Sequence, residues 1–243
     1  MHIGLLQCDD VAEPLQARHG SYPDMIRTLL QAADPRIQLT VFACHQGQAP
    51  TRTDGMDAWI TTGSKCGAND DAEWISRLTD FIRTLWQERQ TLVGICFGHQ
   101  LMAKALGGRV ERSPRGWGIG AYPTRIAQAE PWMSPWYSSQ LQLLSSHQDQ
   151  VVELPPQGRV LAHSGFCPIY MMQVGETFLG LQGHPEFTRA YMADLLASRR
   201  DRIDPIRLQA ARHSLRQPVH DVLMAHWILG FMRTAAAVPA AAA

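Results

Sequence analysis

Apolar positions along the chain follow two rhythms. Residues 2–7 (HIGLLQ), 37–43 (IQLTVFA), 56–61 (MDAWIT) and 91–95 (TLVGI) are short apolar runs of the kind that form buried strands. Between them the spacing turns helical. Residues 22–33 carry Met25, Ile26, Leu29 and Leu30 on one face. Trp74, Ile75, Leu78, Phe81, Ile82, Leu85 and Trp86 form a broad stripe on a longer helix. Asp70 or Asp71 is placed to cap that helix. Residues 98–106 read as another helix, closed by Gly107-Gly108. Strands alternating with helices predict a mostly parallel sheet covered on both faces.

The rhythm changes over residues 109–183. Short apolar runs separated by Gly and Pro predict an antiparallel extension of the sheet with few helices. Residues 189–200, 204–214 and 218–233 read as helices, with Pro205 and Pro218 suited to first-turn positions. The division expected is a main domain over 1–190, a C-terminal helical extension over 191–234 and a flexible tail over 235–243.

Composition narrows the function classes. The 243 residues include 45% hydrophobic and 18% charged, which fits a globular chain. Lys plus Arg and Asp plus Glu both number 22, so the chain lacks the basic surplus of a non-specific nucleic-acid or polybasic membrane-surface binder. No apolar stretch approaches the roughly 20 residues that span a bilayer. MHIGLLQCDD has no basic start and reads as a first strand, not a signal peptide. The five cysteines (8, 44, 66, 96 and 167) form no CxxC pair. A disulfide framework or zinc site is therefore not expected, and a reduced cytoplasmic setting is.

The segment Gly94-Ile95-Cys96-Phe97-Gly98 carries the chemistry. A strand enters a G-x-C-x-G turn and leaves directly as a helix. Small neighbours let the backbone close sharply and hold the thiol clear of the sheet, as in a nucleophile elbow. The helix N-terminus behind the sulfur favours thiolate. A structural cysteine beside a tight turn is the competing reading. A thiolate needs a base, and the base an orienter. Among ten histidines, His184 in Gly183-His184-Pro185-Glu186 has suitable company. In extended chain i and i+2 project to one side, so Glu186 can reach the His184 ring. A polar surface turn is the alternative there. His213, His220, His226 and the Cys44-His45 pair have no partner spacing suited to a metal.

GICFGHQ, SSHQDQV and GLQGHPEF, in that order, resemble the class I glutamine amidotransferases, those with a Cys-His-Glu triad. The resemblance covers roughly residues 1–190. GICFGHQLMAKALGG followed by GWGIG is similar to stand-alone members, the GMP synthase-like proteins and plant γ-glutamyl peptidases. It implies a flavodoxin-like α/β sandwich. It implies Cys96 as nucleophile, His184 as general base and acid, and Glu186 as orienter. The N–H groups of Gly63 and Phe97 would form the oxyanion hole. Gln100 and the loop Ser146, His147, Gln148 and Asp149 would bind the glutamyl amino-acid end. Where the family often has Gly after this loop's histidine, the chain has Gln148. No cofactor or metal is implied.

The chemistry expected is hydrolysis of a γ-glutamyl amide through a glutamyl-thioester, with glutamine or a γ-glutamyl compound as substrate. A glutaminase subunit delivering ammonia to a separate synthetase is the alternative, since no GxxxxGK[ST] or GxGxxG appears in the chain. A non-catalytic regulatory protein on the same fold is a third reading. The C-terminal helices are expected either to cover the sheet or to make a homodimer contact. The aromatic segment 131–139 offers Trp132, Trp136 and Tyr137 as cleft or partner residues, or as core.

Overall fold

A computed structural model describes residues 1–134 and 138–236. Five strands run parallel in the order β2 (Gln38–Ala43), β1 (His2–Gln7), β3 (Ala58–Thr61), β4 (Leu92–Ile95), β11 (Phe178–Leu181). The sheet continues antiparallel through β10 (Met171–Val174), β9 (Gly158–His163), β6 (Gly118–Ile126) and β7 (Gln140–His147). A separate ribbon pairs β5 (Arg109–Arg112) with β8 (Asp149–Glu153). This is the mostly parallel sheet with antiparallel extension that the periodicity predicts. One strand of the later region, β11, lies parallel to β4 instead, which brings the residues after it beside the residues after β4.

The helices are α1 (Glu13–His19), α2 (Tyr22–Ala33), α3 (Glu73–Gln87), α4 (Phe97–Ala105), α5 (Arg189–Ser198), α6 (Pro205–Ser214) and α7 (Asp221–Ala236). Sheet residues Ile3, Leu5, Ile60 and Val93 pack with Ile26 and Leu30 of α2 and with Trp227, Ile228 and Phe231 of α7. On the other face Leu6, Trp59 and Leu92 pack with Leu78, Ile82 and Leu85 of α3 and Leu101 and Met102 of α4. Each such fully buried Leu or Ile contributes about 1.5–3 kcal/mol. A third cluster joins Leu15, Tyr191, Leu195 and Leu208, from α1, α5 and α6, to Ile119, Leu144 and Phe187.

The sequence reading is corrected at three helix starts. The N-cap of α3 is Ala72, without a side-chain cap; Asp70 instead accepts from the Gly67 N–H at 2.8 Å. Helix α7 begins at Asp221, so Pro218 lies before it rather than in its first turn. Helix α1 has no counterpart in the periodicity, because its seven residues bury only Leu15 and carry no apolar stripe. Pro205 does occupy the first turn of α6, where Asp204 caps by accepting from the Arg207 N–H. Trp132 is core rather than cleft: it is 6% exposed and meets Phe231 edge-on at 5.4 Å. Trp136 and Tyr137 lie outside the described residues.

Candidate active site

Strand β4 ends at Ile95, and α4 begins at Phe97, so one residue makes the turn. That residue, Cys96, has φ 50° and ψ −99°, a conformation side-chain-bearing residues adopt only under constraint. The constraint comes from both sides. The Cys96 N–H donates to the Leu181 carbonyl at 2.7 Å, continuing the β4–β11 ladder. The Cys96 carbonyl accepts from the Gln100 N–H at 3.1 Å, starting α4. Helix α4 can lie this close because residue 98 has no side chain: a Cβ there would overlap Thr61 Oγ1.

Three residues past β11, the His184 N–H donates to the Leu144 carbonyl at 2.7 Å and docks the segment on β7. His184 Nδ1 and Glu186 Oε1 are 2.7 Å apart, both side chains almost fully buried. The Phe187 ring stacks flat on His184 at 3.9 Å and 7°. Imidazole plane and tautomer are thereby set together: Nδ1–H points at the carboxylate, leaving Nε2 for the sulfur side. Burial alone would discharge His184. The Glu186 carboxylate and the Cys96 sulfur outweigh burial and hold His184 above its ordinary value. Gln182 Nε2 also donates to Cys96 Sγ at 3.4 Å.

Residue 63 follows β3 and sits against both groups. A Cβ at Gly63 would come 2.7 Å from His184 Cε1 and 3.6 Å from Cys96 Cβ. The next turn is fixed by Asp9, which accepts from the Lys65 N–H and Nζ, each at 2.8 Å. Gly63→Ala is expected to lower kcat about 10²-fold by displacing the ring, since misplacement of about 1 Å costs that much. Circular dichroism and melting should stay near wild type. Unchanged kcat would show that the ring has room to move.

Cys96, Phe97, Gln100, Ser146, His147, Gln148 and Asp149 line one cavity of about 290 Å³, together with Ser64, Lys65, Cys66 and Gly67. Gly63 and His184 line an adjoining recess, and Glu186 stands behind His184. Gln100 Nε2 donates to the Asp149 carbonyl at 2.7 Å and to Gln182 Oε1 at 3.1 Å. His147 Nδ1 contacts the same Asp149 carbonyl at 3.0 Å. Burial raises the Asp149 carboxyl pKa, with Asp70 adding to the effect. Gln148 Oε1 accepts from Arg112, so this side chain turns outward to the β5–β8 ribbon. Among the described residues no group of His, Cys, Asp and Glu is arranged to hold a metal ion.

The sequence reading missed Gln182, Phe187, Lys65, Trp117, Arg199 and Arg202. Gln182 had a signal, since it stands two residues before His184 at the end of a strand. Trp117 reaches the cavity from a loop, and Arg199 and Arg202 reach it from the end of α5 and the single 3-10 turn after it, where no residue pattern singles out the two arginines.

Burial drives His99 down to about 3 and His147 to about 4, so both are neutral in the folded protein. The unfolded chain protonates them near 6.5, so stability from their neutrality is full above that pH and is lost as pH falls toward 3–4. His184 is raised and works the other way, but already holds most of its gain at pH 7. Thermal melts at pH 7 and pH 5 are expected to differ by about 2 kcal/mol for each of His99 and His147. A flat profile would contradict their burial as neutral rings.

Residues 36–197 match the family described as "Glutamine amidotransferase class-I". Gamma-glutamyl peptidase 4 of Arabidopsis thaliana is 32% identical over 184 residues, covering 73% of this chain and 72% of that protein. One subunit of the glutamine-hydrolysing GMP synthase of Pyrococcus abyssi is 40% identical over 96 residues, 39% of this chain and 50% of that protein. A crystal structure of a glutamine amidotransferase from Thermotoga maritima superposes with a TM-score of 0.74 at 19% identity. It covers 96% of this chain and 99% of that one, and so shares the fold. Among the described residues no helix is long and apolar enough to cross a membrane. On the match over 36–197 and the identity to the plant peptidase, the chain belongs to the class I glutamine amidotransferases and is an amide-bond hydrolase.

Proposed function

We propose that the chain hydrolyses the γ-glutamyl amide bond of glutamine or a γ-glutamyl compound through a Cys96 glutamyl-thioester. The observation that carries this reading is the convergence at Gly63: sulfur-bearing Cys96, His184 and the Gly63 backbone meet within one side-chain diameter. The Cys96 thiolate attacks the δ-carbonyl carbon and forms the C–S bond. The Gly63 and Phe97 N–H groups receive the oxyanion; Phe97 is the first residue of α4, where N–H groups have no intrahelical acceptor. One such donor is typically worth about 2.7–4 kcal/mol. The His184 imidazolium gives its Nε2 proton to the leaving nitrogen as the C–N bond breaks. His184 then takes a proton from water, which attacks the thioester, releasing glutamate and restoring the thiolate.

Glu186 positions His184 and keeps the imidazolium paired. The Asp149 carboxylate and the Gln100 end of the cavity suit the glutamyl α-ammonium group. His147 has no proton to exchange near neutrality, and its Nδ1 is engaged by a carbonyl, so its role is to shape the loop. The Arabidopsis relative supports a free-standing hydrolase of γ-glutamyl compounds. The Pyrococcus relative supports the second reading, a glutaminase subunit serving a separate synthetase.

The test is glutamate release by the purified protein alone, given glutamine or γ-glutamyl dipeptides, with mass spectrometry for a glutamyl adduct on Cys96. Release from dipeptides is the expected result. Glutamine turnover only when a synthetase is added replaces the first reading with the second. No release and no adduct under either condition overturns both.

A further inference from the structure

The nine-stranded sheet has two ends, and they are finished differently. At one end the outer edge of β7 is occupied. Its Leu144 carbonyl accepts from the His184 N–H at 2.7 Å, and its Gln142 carbonyl accepts from the His220 N–H at 2.9 Å. The Gln142 N–H donates to His220 Nδ1 at 3.3 Å. At the other end stands β2, and none of its six residues is buried.

The ladder fixes which groups of β2 face outward. The Gln38 N–H donates to the Met1 carbonyl at 3.1 Å, and β2 pairs with β1 in one unbroken register. In a parallel pair, alternate residues turn both backbone groups toward the neighbour. Gln38, Thr40 and Phe42 therefore face β1, and Leu39, Val41 and Ala43 face away. The flanks of this outer edge are satisfied within the chain. The Ala43 carbonyl accepts from the Gln48 N–H at 3.1 Å, and the Ile37 carbonyl accepts from Gln31 Nε2 at 3.1 Å. Between them the N–H and C=O groups of Leu39 and Val41 have no partner among the described residues. Edge strands are normally guarded by charge, proline, a bulge or a covering element. The strand QLTVFA has none of these among the described residues, and Val41 is 38% exposed.

The open stretch is complementary to itself. A second β2, laid antiparallel across a two-fold axis at Thr40, sets Leu39 opposite the partner's Val41 and Val41 opposite the partner's Leu39. Both become hydrogen-bonded pairs, which use the open groups of the two copies and no others. The charges agree with this direction. Arg36 precedes β2, and Asp10 lies beside its far end, 2.9 Å from His45 Nε2 and 3.2 Å from Gln46 Nε2. Arg36 gives Nε and Nη2 to Asp34, and its side chain is 86% exposed, so Nη1 remains for a second carboxylate. In the antiparallel arrangement each Arg36 comes to the end where the partner's Asp10 stands.

We propose that the chain forms a homodimer through β2, with Leu39 and Val41 paired across the two-fold axis and Arg36 facing the partner's Asp10. The two sheets then run on as one. Strands β1 and β3 separate β2 from β4, so each copy keeps its own Cys96 cavity, and the inference does not depend on the reaction catalysed.

An interface built on one short strand from each copy is small, so sedimentation velocity is expected to show monomer giving way to dimer at about 10–100 μM protein. Hydrogen exchange read by mass spectrometry should show residues 37–43 gaining protection over the same range, with residues 140–147 unchanged. Val41→Lys places a charge in the pairing stretch, the device natural edges use. Val41→Pro removes an outward N–H that the β1 ladder does not need. Both variants should stay monomeric across the series, with electrophile labelling of Cys96 at the wild-type rate. Arg36→Glu should weaken the dimer about tenfold at low salt and less at high salt.

A wild-type protein that is monomeric throughout the series overturns the proposal. So does a dimer that survives both Val41 substitutions, which would place the contact on another face. Protection of residues 37–43 that does not follow concentration overturns it as well, whether or not the variants fold.

Discussion

Replacing Cys96 by Ala is expected to reduce glutamate release by at least about 10⁴-fold, because nucleophile and base act as one unit and losing either removes most of the chemistry. The fold should survive, since Ala keeps the same Cβ in the same turn and the residue is only 5% exposed. A small glutamine-like electrophile should label the wild-type protein at this residue alone. The other thiols supply the controls. Burial pushes Cys44 and Cys167 up to about 12 and Cys8 well above the ordinary range, so they stay protonated and unreactive. Cys66 is the demanding control, because it is half-buried and lines the same cavity. It lacks the turn, the helix N-terminus and the His184 neighbour. Labelling of Cys66 in preference to Cys96, or activity in Cys96→Ala, would falsify the assignment.

Glu186→Gln tests the positioning of the base with almost no change in shape. The carboxylate accepts the Nδ1 proton of His184 at 2.7 Å and supports the imidazolium after proton transfer. A carboxamide in its place can donate to Nδ1, which turns the ring to the other tautomer with its proton facing the sulfur. A loss in kcat of about 10³–10⁴-fold is expected, by analogy with amide-for-acid replacement in serine-protease triads. KM should change little, and Glu186→Asp should recover part of the rate. Electrophile labelling near neutral pH should slow as well, because the imidazolium that favours the thiolate is no longer stabilised. A variant within tenfold of wild type on every measure would leave Glu186 as a buried structural acid.

The parallel half of the fold was legible because its signals are local. Apolar runs of five to seven residues and the stripe from Trp74 to Trp86 report strands and helices directly, and α2 appears over the residues its spacing predicts. Cys96 was legible for the same reason, since flanking glycines and the strand-to-helix change lie within five residues. Bringing Cys96 and His184 together depended on β11 pairing with β4, a long-range choice that no local pattern encodes; family resemblance supplied it. The cation pair at the rim was invisible. Arg199 and Arg202 flank the 3-10 turn that follows α5, and the Trp117 ring that gathers them is more than 80 positions away in the chain. Arginines in a turn read as solvated surface until a partner ring is known. The missed N-cap of α3 follows the same logic: the Asp70 carboxylate closes its own turn by accepting from the Gly67 N–H, and the helix starts after Ala72 without a side-chain cap.

The insertion of β11 between β4 and β10 also has a consequence for biosynthesis. While the ribosome is still making residues before 178, β1 to β4 can assemble as a parallel block, but the free edge of β4 has no neighbour. Cys96 then lacks the Leu181 carbonyl that pins its N–H, and His184 has not been made. The hydrogen bonds that Leu181 and Gln182 make to Cys96 span 85 and 86 residues, and such distant pairings form late. A partly made or stalled chain therefore carries a thiol without its base. In refolding, recovery of electrophile labelling should trail the return of helical signal, so the reactive sulfur serves as a clock for the last strand to dock.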